Sequence, residues 1–165
     1  MIRAVAGDLA SVAADAVARP ATTRLEPLTT ALRRLDDAAG PRFIGQRTVR
    51  RELGVGSAVV TAAGDLPVEF VVHLVLGQAE DAVTTDTVRR AVEAALFQCM
   101  QWQIGTLACP VPAAGNLAPE AALTVLLEVL RAHVRVATHP ANVLIVTGTA
   151  AEADLVNARI GQGTS

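Results

Sequence analysis

Apolar runs rich in Val, Ile and Thr predict the strands of this chain. Each run is four to eight residues long and is flanked by Gly, Pro or polar residues. The predicted strands are 2–6, 15–18, 57–62, 69–76, 106–111 and 142–147. A short turn over 63–67 separates the third run from the fourth, so we expect these two strands to pair.

Apolar residues at helical spacing predict four helices. The first begins at Pro27 and ends at Gly40-Pro41, the second lies over 88–100, and the third begins at Pro119. A capping-box pattern, Thr149 to Glu152, predicts the last helix. Residues 40–56 carry four Arg at irregular spacing and predict a solvated loop with a short helix.

The order of these elements predicts the fold class. The later strands alternate with helices, and their apolar runs are continuous, as they are in a sheet covered on both faces. The chain has no internal repeat and no linker. We therefore expect one α/β domain over 1–165, with 161–165 as a flexible tail.

Composition supports a well-filled core and excludes some functions. Hydrophobic residues make up 52% of the chain, charged residues 18% and aromatic residues 2%. Residues 1–60 contain nine Arg and six acidic residues, and this excess of positive charge is too small to suggest binding of duplex nucleic acid. All fourteen basic residues are Arg, and without Lys there is neither a Walker-type phosphate loop nor Schiff-base chemistry.

The longest apolar stretch, 68–76, has about half the length that spans a bilayer. The first residues lack the charged-then-apolar layout of a signal peptide, and two Cys are too few for a disulfide scaffold. We expect a cytoplasmic protein without a membrane partner.

Metal and nucleophile chemistry have only weak candidates. His133 and His139 have a spacing found in zinc sites, but Cys99 and Cys109 are not paired as C-x-x-C, so we expect no metal. Cys109 at a strand end could act as a nucleophile with a His, or could simply be a small core residue. Asp36 and Asp37 end an amphipathic helix, are expected to be solvated, and suggest no catalytic carboxylate pair.

The stretch LACPVPAAGNLAPEAA, residues 107–122, links a predicted strand to a predicted helix. Pro119 at the first helical position, after Ala118, leaves the first N–H groups without a side-chain cap. Those donors and the helix dipole favour an anion, although water could satisfy them equally well. The residues alone leave both interpretations open.

Four short motifs together resemble the macro domain family, whose members bind ADP-ribose and in some cases hydrolyse its linkages. These motifs are Gly7-Asp8-Leu9, Ala14-Asp15-Ala16-Val17, Val71-Val72-His73 and the loop from Ala108 to Leu117. The resemblance implies a three-layer α/β/α sandwich around a mixed, mostly parallel sheet of six or seven strands. It also implies that His73 is a feature of the fold rather than a ligand contact.

The resemblance also implies a set of ligand-binding residues. Asp8 would accept a hydrogen bond from the adenine amino group, and the second loop would wrap the diphosphate and ribose through its backbone N–H groups. Arg19 could reach a phosphate with its planar fork. The full predicted set is Asp8, Leu9, Arg19, Thr22, Val111, Ala113, Ala114, Gly115, Asn116 and Leu117.

The chain departs from the family pattern where hydrolysis would need side chains. The family's Asn-Ala-Ala-Asn corresponds to Arg19-Pro20-Ala21-Thr22, and the Gly-rich loop that should follow has no Gly between Thr23 and Thr30. The Ser-Thr of the second loop is Ala113-Ala114, and the aromatic residue that often stacks near adenine has no counterpart around Thr147. We therefore expect no catalytic residues.

Two hypotheses follow. The first is a macro-like domain that binds ADP-ribose or a related nucleotide without hydrolysing it and without a cofactor. The alternative is a ligand-free module for interaction or oligomerisation, which the lost polar side chains and a mean hydropathy of +0.40 favour.

Overall fold

The structure is a computed structural model that describes residues 1–78 and 80–163. In these residues six strands form one sheet: β1 (Ile2–Ala6), β2 (Ala16–Ala21), β3 (Ala58–Ala62), β4 (Phe70–Val75), β5 (Thr106–Cys109) and β6 (Asn142–Thr147). The helices of the described residues are α1 (Thr30–Gln46), α2 (Thr85–Gln101), α3 (Pro119–Val134) and α4 (Ala150–Gln162). None of these helices is long and apolar enough to cross a membrane.

The strand order in the sheet is β1-β6-β5-β2-β4-β3. All neighbouring pairs are parallel except β3 and β4, which pair as the sequence predicts and are antiparallel. Helices α2, α3 and α4 contribute to the core on one face, and α1 packs on the other together with the segment that joins β1 to β2. The predicted three-layer α/β/α fold with a mixed, mostly parallel sheet is confirmed.

Strand β2 is longer than predicted, because Arg19, Pro20 and Ala21 continue it and pair with β4. A proline cannot donate to a strand ladder and normally belongs at a sheet edge. Here β5 pairs with β2 only at Ala16 and Val17, so the strand has a free side at Pro20.

Three other boundaries also differ from the prediction. Helix α1 begins at Thr30 rather than at Pro27, because the Thr29 side chain caps it by accepting from the Leu32 N–H (3.2 Å). The predicted end at Gly40-Pro41 is wrong: these residues form a kink, and the helix continues to Gln46. Strand β5 ends at Cys109, since Pro110 has no N–H with which to extend the ladder.

Helix α4 packs along the outer edge of the sheet and includes part of the predicted tail. Asn157 of α4 covers the β1 edge: its side chain accepts from the Ala4 N–H (2.8 Å) and donates to the Ala4 carbonyl (3.0 Å). The predicted tail begins inside α4, because Gly161 and Gln162 are its last residues. Residues 164 and 165 of that predicted tail lie outside the described residues.

Candidate functional site

The carboxyl ends of the five parallel strands meet at one edge of the sheet, which is where open α/β sheets bind ligands. A cleft of about 770 Å³ lies at this edge, beside the ends of β5 and β6. Its walls include Val111 from the loop after β5, Leu123 from α3, and Glu152 and Val156 from α4. In the described residues, Val111 is the one member of the predicted ligand set that lines this cleft.

The loop 110–118 forms the cleft border between β5 and α3. Its turn is closed by the Leu117 N–H, which donates to the Ala114 carbonyl (3.1 Å), and Gly115 has a φ of 57°. Asn116 Oδ1 accepts from the Val83 N–H (3.0 Å), which ties the loop to the segment before α2. Within the described residues, the exposed N–H groups of Gly115 and Asn116 have no protein acceptor, although neither residue is among those that line the cleft.

The start of α3 has the geometry that the sequence predicts. Ala118 supplies no side-chain cap, and Pro119 stands at the first turn. Glu120 in that first turn pairs with Arg159 of α4, and both residues line the cleft. Arg159 Nη2 also donates to Thr124 Oγ1 (3.0 Å), so this guanidinium is committed to protein partners.

Asp8 lies at the same sheet edge, directly after β1. Its Oδ1 accepts from the Ala10 N–H (2.9 Å), and the preceding Gly7 N–H donates to the Thr147 carbonyl at the end of β6 (2.9 Å). The carboxylate is therefore held next to the β6 end while remaining exposed. Leu9 is half-buried and packs against the core under α1, so its role is structural.

The prediction that Arg19 assists a phosphate is wrong. Its side chain is 0% exposed and donates to both carboxylate oxygens of Asp36, at 2.9 and 2.7 Å, and to the Leu25 carbonyl at 2.8 Å. Burial lowers the pKa of Arg19, which the hydrogen bond and charge of Asp36 oppose. Asp36 is 2% exposed and is also ion-paired with Arg47 (2.8 Å), so the expectation of a solvated Asp36 is also wrong.

Thr22 is buried and organises a turn rather than facing a ligand. Its Oγ1 accepts from the N–H groups of Arg24 (3.2 Å) and Glu26 (3.1 Å). The turn places Leu25, with a φ of 61°, in a small apolar cluster with Val75 of β4. Leu25, which no sequence motif singled out, packs beyond β2 at the place where the family pattern has a Gly-rich loop.

Further contacts keep the loop after β2 closed. The Thr23 carbonyl accepts from the Leu53 N–H (2.8 Å), and Thr23 Oγ1 accepts from Gln78 Nε2 (2.7 Å). Segments before β3 and after β4 therefore lie against this loop. The open part of the sheet edge is on the β5–β6 side.

His73 is a buried member of the α1-side core, as the resemblance implies. Its Nε2 lies 2.9 Å from Thr61 Oγ1, and its ring stacks on Phe43 with 5.8 Å between the ring centroids. Desolvation lowers the pKa of His73 well below its ordinary value, and the charges of Arg19 and Arg47 lower it further. The ring is therefore neutral in the folded protein at neutral pH.

We expect His73 to make the fold acid-sensitive. A histidine in the unfolded chain titrates near pH 6.5, whereas the folded pKa is lower, so the unfolded state binds the proton first. Stability is thus fully present above about pH 6.5 and falls below it by up to about 1.4 kcal/mol per pH unit. Urea unfolding of wild type and His73→Phe between pH 7.5 and 5 measures this share, with His133→Gln as control. Equal slopes in wild type and His73→Phe would contradict the assignment.

The cysteine and metal alternatives have no support in the geometry. Burial raises the pKa of Cys109 to about 12, and it raises the pKa of Cys99 to about 12 as well. Thiols of this kind are inert core groups rather than nucleophiles. Among the described residues no group of three His, Cys, Asp or Glu side chains is arranged to hold a metal ion.

Comparison with known proteins identifies the family. The macro domain family model matches residues 21–123. Uncharacterized proteins of Mycobacterium bovis and Mycobacterium tuberculosis are each 31% identical over 94 residues, which are 52% of this chain and 26% of each relative. The match therefore spans about a quarter of the length of these curated relatives.

Solved structures agree with the family match. The Oceanobacillus iheyensis macrodomain with MES bound has a TM-score of 0.82 at 16% identity, over 97% of this chain and 89% of that chain. The Trypanosoma brucei macrodomain in complex with ADP-ribose has a TM-score of 0.81 at 17% identity, over 97% of this chain and 69% of that chain. At such identities the likeness shows the fold alone. Because the family model covers more than half of the chain and the fold agrees with it, this protein belongs to the macro domain family.

Proposed function

We propose that this macro domain binds ADP-ribose or a related nucleotide such as ADP, and that it does so without hydrolysing the ligand. The observation that carries the proposal is the cleft of about 770 Å³ at the carboxyl edge, beside a loop with unpaired N–H donors. The Trypanosoma brucei macrodomain, which shares the fold, is known in complex with ADP-ribose and with ADP.

The cleft has the size and chemistry of a nucleotide site. Small-molecule pockets typically hold about 300–1,000 Å³ and are mostly apolar with a few directed polar groups. Val111, Leu123 and Val156 offer apolar walls for a base. The Gly115 and Asn116 N–H groups and the start of α3 suit a diphosphate, because backbone donors and the helix dipole favour an anion.

Binding without hydrolysis follows from the residues at the end of β2. The positions that correspond to the family's two Asn carry Arg19 and Thr22. Arg19 donates hydrogen bonds to Asp36, and the Thr22 hydroxyl oxygen accepts hydrogen bonds from N–H groups of its own turn. Neither side chain is free to position a water or a ribose, so the proposed role is recognition.

Calorimetric titration with ADP-ribose and with ADP tests the proposal. We expect saturable binding to the wild-type protein and a loss of at least tenfold in affinity for Val111→Trp, because the indole would fill the cleft that Val111 lines. Asp154→Asn, an exposed change on α4 outside the cleft lining, is the matched control.

Thermal unfolding of both variants, run beside the titration, separates blocking of the cleft from loss of fold. No heat and no thermal shift of the wild-type protein at millimolar ligand would contradict the proposal. Release of ADP-ribose from a modified protein would contradict the absence of hydrolysis.

A second candidate function, protein interaction or self-association, is favoured by one surface. Phe97, Met100 and Trp102 near the end of α2 are 56%, 43% and 51% exposed, and Trp102 contacts Phe70 with 5.1 Å between the ring centroids. Large exposed apolar side chains in one place are typical of binding surfaces. Light scattering on a size-exclusion column measures the molar mass of the wild-type protein and of Phe97→Ser. A monomeric mass for both proteins would count against self-association.

A further inference from the structure

Glu152 stands out in the cleft because it is a lining carboxylate without a counter-ion. The charged residues of the cleft wall are Glu120, Glu152 and Arg159. Arg159 is paired with Glu120 and donates to Thr124, so it leaves no cation for Glu152. Glu152 is exposed, and an ionised carboxylate accepts hydrogen bonds and cannot donate them, so this wall of the cleft can receive a donor from a ligand.

The Glu152 side chain is held in place by the turn between β6 and α4. Its Oε2 accepts from the Gly148 N–H (3.2 Å), and its own N–H donates to Thr149 Oγ1 (3.2 Å), the helix cap. In the described residues no donor reaches Oε1. One carboxylate oxygen therefore orients the group, and the other remains available to a ligand.

The neighbouring polar groups do not compete for that role. Thr147 Oγ1 donates within the protein, to the carbonyls of Thr149 (3.0 Å) and Val5 (3.4 Å). The remaining wall near Glu152 includes the apolar side chains of Leu155 and Val156. A ligand seated here meets an apolar surface with a carboxylate at its edge, which suits a neutral group with hydroxyl donors and repels a phosphate.

The two borders of the cleft thus differ in hydrogen-bond polarity. The loop 110–118, which lines the cleft through Val111, carries the N–H donors of Gly115 and Asn116 just beyond the lining, whereas Glu152 offers an acceptor within it. A nucleotide has the matching asymmetry, because its phosphates only accept while its ribose diol donates. Carboxylates that follow a strand commonly receive ribose hydroxyls in nucleotide-binding α/β folds.

We propose that Glu152 is a ligand-binding residue that accepts hydrogen bonds from the ribose hydroxyls on the nucleoside half of the bound nucleotide. This inference rests on the proposed function and adds a residue and an orientation to it. The phosphates then point towards the loop 110–118, away from the carboxylate.

Comparing ADP with 2′,3′-dideoxy-ADP, which lacks both hydroxyls, isolates this contact. We expect the wild-type protein to bind ADP about tenfold more tightly than the dideoxy analogue, because a hydrogen bond to a charged group is lost. Glu152→Ala should reduce that ratio to about one. Glu152→Gln keeps an oxygen for the Gly148 N–H and should give an intermediate ratio, and Asp154→Asn should keep the wild-type ratio.

The ratio of two affinities within one variant does not depend on small changes in its stability. An equal preference for ADP in wild type and in both Glu152 variants would overturn the inference while leaving the proposed function in place. Failure of the wild-type protein to bind ADP or ADP-ribose would instead overturn the proposed function, and the inference with it.

Discussion

Replacing Asp36 with alanine is expected to lower the free energy of unfolding by about 4 kcal/mol. Asp36 Oδ2 lies 2.7 Å from Arg19 Nη2 and 2.8 Å from Arg47 Nε, and the carboxylate is 2% exposed. Removing it leaves the fully buried guanidinium of Arg19 without a counter-charge. Breaking one side of a buried ion pair is costly for this reason, whereas exposed pairs contribute little.

The measurement is urea unfolding followed by circular dichroism, with Asp37→Ala as the matched control. Asp37 is the neighbouring residue and is exposed, so its replacement should change stability by less than about 0.5 kcal/mol. In thermal scans the Asp36 variant should melt about 10 °C lower. A loss below about 1 kcal/mol would contradict the assignment of Asp36 as the neutralising group of this cluster.

A double variant separates lost charge from lost packing. Arg19→Met together with Asp36→Leu removes the buried cation and the buried anion at once, and it leaves Arg47, which is 13% exposed, without this ion pair. Replacing a buried ion pair by apolar residues of similar size is often neutral or stabilising. We therefore expect the double variant to be more stable than Asp36→Ala alone.

This ion cluster explains why the end of β2 could not be predicted. Arg-Pro after a short apolar run suggests a loop, and Asp36-Asp37 on a helix suggests a solvated face. Arg19 and Asp36 are 17 positions apart in the sequence and neutralise each other's charge. Only that pairing allows either side chain to be buried. Local periodicity carries no information about such a partner.

Most strands were predictable because each is a short apolar run bounded by turn residues or polar residues. The runs that became β1, β3, β4 and β6 are short apolar or β-branched stretches, and their bounds lie within one residue of the prediction. Helices α2 and α3 were predicted from apolar residues at helical spacing, which are the residues that they bury. The start of α1 was misplaced because Pro27 and Thr29 both resemble helix starts, and the Thr29 cap determined the result.

The candidate site was predictable only in part. The loop 110–118 was identified from Pro, Gly and an uncapped helix start, which are local signals. The other wall comes from α4, and its position depends on β6 lying between β5 and β1, which the sequence pattern does not specify. Glu152 was identified as a helix cap, and its second role emerges only when α3 and α4 flank one cleft.

The closed loop after β2 gives the proposed site its particular shape. A Gly-rich loop would leave backbone N–H groups available to a ligand, whereas here the Thr22 N–H donates to the Glu26 carbonyl (2.9 Å) and Leu25 is 1% exposed. Recognition is therefore expected to depend on the β5–β6 side. This division is consistent with binding that does not proceed to hydrolysis.

Replacing Gly64 with alanine is the second change for which we expect a large effect, a loss of about 3 kcal/mol in the free energy of unfolding. Gly64 lies in the turn between β3 and β4 with a φ of 59°, a conformation that costs other residues about 1–2 kcal/mol. A Cβ at this position would collide with the Ala39 carbonyl oxygen and lie 2.9 Å from Phe43 Cβ.

The cost arises because the turn packs directly against the kink in α1. The Asp65 N–H donates to the Ala39 carbonyl (2.9 Å), so the chain cannot move away from α1 without breaking that bond. Moving Phe43 instead would disturb the ring that stacks on His73 and lies beneath the Arg19 guanidinium. The structure therefore cannot relieve the collision of a methyl group at Gly64 without losing a hydrogen bond or disturbing the Phe43 ring.

Gly45→Ala is the matched control, because it tests the same chemical change in the same region without a collision. Gly45 lies in the last turn of α1, and a Cβ there would meet no atom within 4 Å. Alanine is favoured over glycine in helices, so this variant should gain about 0.5 kcal/mol. Urea unfolding of the two variants side by side should therefore give changes of opposite sign. A Gly64→Ala protein as stable as wild type would show that the β3–β4 turn does not hold α1 in place.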